Sequence, residues 1–87
     1  MSQEHLRAAG DTLAGAADDL GDDERARELA GTLRSLADRD RGPDHGRLAR
    51  IERALAELGE GAGEAGEEAI DETTAHVQAY RETVDGV

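Results

Sequence analysis

The apolar residues of this chain, many of them alanines, recur every three or four residues along almost its whole length. Four stripes follow one another: Leu6, Ala9, Leu13, Ala16, Ala17 and Leu20; Ala26, Leu29, Leu33 and Leu36; Leu48, Ile51, Leu55, Leu58, Ala62 and Ala65; and Ile70, Thr73, Val77, Tyr80 and Val84. Because that interval is the repeat of one face of an α-helix, the pattern predicts an all-α protein.

Turn residues divide this pattern into helical segments. Gly21 suits the end of a helix, where a left-handed conformation is favoured, and Asp22 suits the cap of the next one. The clearest turn is Arg41-Gly42-Pro43-Asp44, since proline lacks an amide donor and Gly42 accepts a positive φ. We therefore predict helical segments at about residues 2–20, 22–39 and 44–84.

The last of these segments contains a glycine-rich stretch at residues 59–66. Its four glycines cost roughly 3–4 kcal/mol relative to alanine if one helix runs straight through them. Either the helix has a kink or hinge there, or close packing against another segment compensates. The sequence leaves both alternatives open.

The turn at Gly42-Pro43 lies near the midpoint of the 87 residues, which suggests that the chain folds back on itself. That arrangement brings Leu33 to Ile51 and Leu6 to Tyr80. It predicts a single domain over residues 1–87, an antiparallel helical hairpin interrupted near Gly21, with two hairpins pairing as a four-helix dimer. A small monomeric helical bundle is the alternative. The large apolar residues are few, so the core is thin and oligomerisation is an economical source of extra stability.

The charge composition indicates the solvent for which the chain is adapted. It carries 21 acidic residues against ten basic ones, all of them arginine, and its net charge is −11. A GC-rich genome explains arginine in place of lysine but does not explain the excess of acids. We therefore expect adaptation to a cytoplasm with molar salt, where dense surface carboxylates hold water and hydrated cations.

Several classes of function are disfavoured. The chain has no cysteine, nothing resembling a signal peptide and no apolar run long enough to span a membrane. It also lacks a nucleophile elbow and a phosphate-binding loop. We expect a cytoplasmic protein that is not an enzyme, with no catalytic residue, no cofactor and no membrane contact.

Metal binding has two weak candidates. Glu72 and His76 are four residues apart on a predicted helix, and the acidic cluster at residues 18–24 invites a calcium interpretation. The cluster lacks the alternating ligands and central glycine of an EF-hand loop. We assign these residues to solvated helix surface and helix caps, and predict no metal site. Specific cation binding by the acidic cluster stays open.

The arginine residues near the central turn are the feature with the strongest functional contrast. Residues 34–53 carry six arginines against four acids, whereas the segments on either side are strongly acidic. We predict an anion-binding or partner-binding patch formed by Arg39, Arg41, Arg47, Arg50 and Arg53. The competing interpretation is simple neutralisation by Asp38, Asp40, Asp44 and Glu52.

An arginine fork suits carboxylate or phosphate oxygens, so two partners are conceivable. We favour a non-catalytic interaction and self-association module, forming a homo-oligomer, most simply a dimer, and binding an acidic protein at the patch. A nucleic-acid-associated accessory protein is the alternative. It is disfavoured because the patch has no interleaved aromatic residues and the whole chain repels phosphate.

The second half of the chain also resembles a known family. The residues are Arg47-Leu48, Ile51-Glu52, Leu55, Leu58, Gly63-Glu64-Ala65, Glu68-Ala69-Ile70, Val77 and Tyr80-Arg81. Over about residues 44–84 they resemble short, uncharacterised haloarchaeal proteins that are known only as a domain of unknown function. The resemblance implies a protein adapted to high salt, and it implies no activity and no site residues.

Overall fold

The computed structural model describes residues 3–39 and 42–84. Within them lie four α-helices: α1 (Gln3–Gly15), α2 (Asp23–Ala37), α3 (His45–Gly59) and α4 (Glu64–Arg81), with a short 3-10 turn at Ala17–Asp19. These two ranges contain no β-strand. The predicted all-α fold is therefore confirmed.

Successive helices run antiparallel and form a bundle. Helix α1 packs closely along both α2 and α4, and α3 packs on α4, whereas α2 touches α3 only lightly. A single chain thus supplies the four helices that the predicted pairing of two hairpins assigned to two chains. Of the two predicted architectures, the small helical bundle is the one that the structure has.

The predicted apolar stripes form the core of this bundle. Its buried apolar residues are Leu6, Ala9, Leu13, Ala17, Leu20, Ala26, Ala30, Leu33, Leu36, Leu48, Ile51, Leu55, Leu58, Ile70, Val77 and Tyr80. Thr73 is buried as well, and its hydroxyl donates to the Ala69 carbonyl at 2.8 Å. Because these apolar stripes are buried within a single chain, they are not available to join two chains.

Aspartate caps begin two of the helices, as the sequence predicts for α2. The Asp22 side chain accepts a hydrogen bond from the Arg25 amide at 3.1 Å. The Asp44 side chain accepts one from the Arg47 amide at 2.8 Å. Each cap satisfies an amide that has no partner inside its own helix, so both aspartates are held in place by the helix start.

The first break comes earlier than the sequence pattern predicts. Helix α1 ends at Gly15, and the segment predicted as helix up to residue 20 contains instead the 3-10 turn at Ala17–Asp19. Gly21 does not adopt the predicted positive φ; among the described glycines only Gly61 does, at 76°. Ala17 and Leu20 are both buried although the helix has ended, so the 3-10 turn keeps these side chains in the core.

The glycine-rich stretch at residues 59–66 is a hinge rather than continuous helix. Helix α3 ends at Gly59, the chain turns at Gly61, and α4 begins at Glu64. A Cβ atom added to Gly66 would lie 2.6 Å from the Asp19 carbonyl oxygen, so α4 passes very close to the α1–α2 connection. The hinge also resets the helical phase, which explains why Ala65 is exposed although its stripe predicts burial.

The central turn is shaped by a close contact with α4. A Cβ atom at Gly42 would overlap the Tyr80 hydroxyl oxygen. Glycine is required because the buried Tyr80 ring of α4 presses against the backbone of the turn.

Candidate functional site

Helix α3 presents the predicted arginines to solvent. Leu48, Ile51 and Leu55 are buried on its inner side, which fixes the rotation of the helix about its axis. Arg47, Arg50 and Arg53 then fall on the exposed side, spaced three residues apart. A shallow depression lined by Arg50, Arg53 and Ala49 opens on this face. We call Arg47, Arg50 and Arg53 the α3 arginine face.

The arginines of the described chain fall into two groups. Five of them form ion pairs: Arg7 with Asp38, Arg25 with Glu57 at 2.8 Å, Arg27 with Asp18 at 2.8 Å and Asp23 at 2.6 Å, Arg34 with Asp11 at 2.8 Å, and Arg81 with Glu52 at 2.6 Å. Within residues 3–39 and 42–84, Arg39 and the α3 arginine face have none. All four belong to the predicted patch; its fifth member, Arg41, lies outside the described residues.

The acids expected to neutralise this patch are engaged elsewhere. Asp38 pairs with Arg7 on α1, and Glu52 pairs with Arg81 on α4. The Asp44 carboxylate caps α3. Asp40, the remaining candidate, lies outside the described residues. Neutralisation by Asp38, Asp44 and Glu52 is therefore not what the structure shows.

The fold concentrates opposite charges at opposite ends of the bundle. Antiparallel packing gathers residues 3–10, 31–39, 42–53 and 74–84 at one end, with seven arginines and five acids. Residues 11–30 and 54–73 form the other end, with two arginines and fourteen acids. The unpaired arginines thus lie at the end where their own chain repels an anion least.

An acidic face lies at the start of α4. Glu64, Glu67, Glu68, Asp71 and Glu72 are all exposed and have no ion pair within the described parts of the chain. We call these five residues the α4 acidic face. The sequence pattern singles out the acids at residues 18–24 instead. The available signal was the absence of any arginine or lysine from residue 54 to residue 80.

The acidic cluster at residues 18–24 is largely occupied within the chain. Asp18 and Asp23 both bind Arg27, and Asp22 caps α2. The hydrogen bond to Asp23, followed by that to Asp18, raises the pKa of Arg27 above its ordinary value. Among the residues described, no group of three side chains is placed to hold a metal ion.

One of the histidines, His45, links two helices at the end of the bundle that carries seven arginines. His45 begins α3, and its Nδ1 accepts a hydrogen bond from Arg81 Nε at 3.2 Å. Its Nε2 is buried and has no partner in the described chain. Arg81 in turn donates to Glu52, so this trio ties the start of α3 to the end of α4 and holds the α3 arginine face in position.

Together these features define the class: a small all-α bundle with an unpaired arginine face on one peripheral helix. The chain belongs to a family of unknown function (DUF7553), whose model matches residues 1–83. That match spans both halves of the chain, whereas the resemblance seen in the sequence covered only about residues 44–84. No curated protein matches the chain. No solved structure matches it either. None of the described helices is long and apolar enough to cross a membrane.

Proposed function

We propose that this protein is a non-catalytic helical interaction module whose α3 arginine face binds carboxylates of an acidic protein partner. One observation carries the proposal. Five described arginines are paired with acids, whereas Arg39, Arg47, Arg50 and Arg53 are not, and all four lie at the same end of the bundle. An arginine that its own chain leaves unpaired keeps its donors available for another molecule.

The arrangement on α3 suits a carboxylate-bearing surface. Guanidinium groups donate in a planar fork that matches the two oxygens of a carboxylate. Arg47, Arg50 and Arg53 follow one another at intervals of about 4.5 Å along the helix axis, at 1.5 Å per residue. A row of carboxylates on a partner helix has the same spacing, so several pairs form at once and each strengthens the next.

The partner meets this module in a cytoplasm with high salt, as in haloarchaea. The excess of acids supports this setting, and so does the α4 acidic face, which no cation of the described chain neutralises. At 1 M salt the Debye length is about 3 Å, so long-range repulsion between acidic molecules is screened while direct contacts persist.

Phosphate groups of nucleic acid are the second candidate ligand, because the same unpaired arginines favour them. Two features weigh against this alternative. Tyr80 is the only aromatic residue, and it is buried, so no ring is available to stack on a base. Molar salt also weakens phosphate binding steeply, because release of counterions then contributes little free energy.

Binding to immobilised poly-glutamate and to duplex DNA, each measured at about 0.2 and 1 M KCl, tests the proposal. The variant Arg47→Gln/Arg50→Gln/Arg53→Gln removes the α3 arginine face. We expect its poly-glutamate affinity to fall by about tenfold or more, since three charge-assisted contacts are lost.

The matched control is Arg25→Gln/Arg27→Gln/Arg34→Gln. It removes the same charge from exposed arginines that are paired within the chain, and we expect a change of less than about threefold. Equal losses in the two variants would mean that only total charge matters. DNA bound more tightly than poly-glutamate at both salt concentrations would favour the nucleic-acid candidate.

A further inference from the structure

The α3 arginine face and the α4 acidic face form a complementary pair that a single chain cannot bring together. Glu52 of α3 contacts Gln78 and Arg81 of α4, and Gly59 lies against Ile70. The arginines therefore lie beside the last turns of α4, whereas the acids occupy its first turns. The two faces are offset by roughly ten residues, or about 15 Å along the helix axis.

The two faces also match in length. From Arg47 to Arg53 the helix rises about 9 Å, and from Glu64 to Glu72 it rises about 12 Å, at 1.5 Å per residue. Within the described residues neither face has an ion pair of its own. Each face is therefore a ready partner for the other, provided that the other comes from a different molecule.

The α4 acidic face and Arg53, the last member of the α3 arginine face, open on the same side of the bundle, whereas Arg50 and Arg47 lie progressively farther round α3, toward α2. Glu67 and Asp71 line the groove between α3 and α4 together with Ala56 and Gly59 of α3. Arg53 and Ala49 lie one and two turns before Ala56 on the same side of α3. The small exposed side chains of Ala49 and Ala56 let a second helix approach closely.

We propose that the acidic partner of the α3 arginine face is a second copy of this chain, bound through its α4 acidic face. This inference rests on the proposed function and names its partner. A two-fold axis between the copies makes the contact twice, because each face lies opposite its counterpart in the other molecule.

Charge reversal with rescue in trans tests the dimer at about 1 M KCl, where repulsion between the two chains, each of net charge −11, is screened. Sedimentation equilibrium should give the wild type twice the 9.2 kDa mass of one chain. Arg50→Glu/Arg53→Glu alone and Glu67→Arg/Asp71→Arg alone should each be monomeric. An equimolar mixture of the two variants should regain the dimer mass, since both contacts are again between opposite charges.

Circular dichroism of each variant verifies that it is folded, and the rescue in the mixture itself requires folded chains. The matched control is Glu24→Arg/Glu28→Arg, which makes the same charge change on exposed, unpaired acids of α2 and should stay dimeric. A monomeric wild type, dimeric single-face variants or a mixture that stays monomeric would each overturn the inference. If the wild type is monomeric and still binds poly-glutamate through Arg50 and Arg53, this inference fails while the proposed function stands; loss of both overturns both.

Discussion

Helices α1 and α3 differ in how their arginines are paired. Helix α1 lies between two close neighbours; its Arg7 pairs with Asp38 at the end of α2, and its Asp11 pairs with Arg34 of α2. Helix α3 has one close neighbour; its Glu52 and Glu57 are paired, but its outer arginines have no ion pair in the described chain. The arginine of α1 therefore stabilises the bundle, whereas the three arginines of α3 remain available to another molecule.

Helix packing distances parallel this difference. Gly10 of α1 lies so close to α2 that an added Cβ would be 3.0 Å from the Ala30 carbonyl oxygen. Side chains at the rim of such a tight contact reach each other easily. Helix α3 touches α2 only lightly, and within the described residues one ion pair, Arg25 with Glu57, joins these two helices. The closer pair of helices therefore neutralises more of its own surface charge.

Leucine-to-alanine substitutions in the two helices give the largest expected effect. Leu55 of α3 and Leu13 of α1 are both fully buried. Each change should lower the free energy of unfolding by roughly 2–4 kcal/mol, measured by urea unfolding at about 1 M KCl. Because α3 has one close neighbour and α1 has two, we expect the loss for Leu55→Ala to lie toward the lower end of this range. A loss below about 0.5 kcal/mol for Leu55 would show that α3 does not dock through its apolar stripe.

A pair of glycine substitutions tests the close packing of α4 against the α1–α2 connection. Gly66→Ala should cost about 1–3 kcal/mol, because the new Cβ meets the Asp19 carbonyl oxygen at 2.6 Å and the Ala62 Cβ at 2.8 Å. Gly31→Ala, in the open on α2, should instead stabilise by about 0.5–1 kcal/mol. Thermal unfolding of both variants measures the difference. The same sign for both would contradict the tight contact at Gly66.

Alkaline titration probes the turn that leads into α3. Burial raises the pKa of Tyr80 above its ordinary value of 10.0. The stability that this contributes is present below pH 10.0 and lost as pH rises through the folded pKa, by up to about 1.4 kcal/mol per pH unit. The chain has no lysine or cysteine that titrates in the same range.

Ultraviolet absorbance of tyrosinate, recorded with unfolding at each pH, measures this effect. The control Tyr80→Phe should remove the alkaline loss of stability. Tyrosinate formation at the ordinary pKa in the folded protein would mean that the ring is not buried against the turn.

The smallest expected change in stability distinguishes paired arginines from unpaired ones. Arg34→Gln breaks the pair with Asp11 and should cost up to about 1 kcal/mol, discounted because both side chains are about half exposed. Arg53→Gln should change stability by no more than a few tenths of a kcal/mol. Thermal unfolding at about 0.1 M KCl measures both, and the gap should narrow in molar salt. A loss for Arg53 as large as that for Arg34 would show that Arg53 is paired in solution.

Local features of the fold were predictable from the sequence. The apolar stripes, the turn around Gly42 and the Asp22 cap depend only on residues within one or two helical turns of each other. The end of α1 was predicted too late, because the apolar spacing continues to Leu20 although the helix ends at Gly15. The glycines at residues 59–66 indicated an irregular segment, but the sequence did not show whether the helix breaks there or continues.

The residues of the candidate site were predictable from the sequence, but which of them form ion pairs was not. The cluster of arginines around the turn is visible in the sequence, and four of its five predicted members lie in the described residues. That Asp38, Asp44 and Glu52 are engaged elsewhere depends on Arg7 and Arg81, which are distant in sequence. The α4 acidic face suggests a binding role only when its position relative to the α3 arginine face is known. That relative position is set by the folded bundle.

The sequence by itself determined the helical class, the inner and outer side of each stripe, and the excess of surface carboxylates. These follow from periodicity and composition, which act over a few residues at a time. Tertiary structure decided which helices became neighbours, why Gly42 and Gly66 tolerate no side chain, and which arginines stayed unpaired. Those outcomes depend on distances between helices, and such distances arise only when residues far apart in sequence pack around one core.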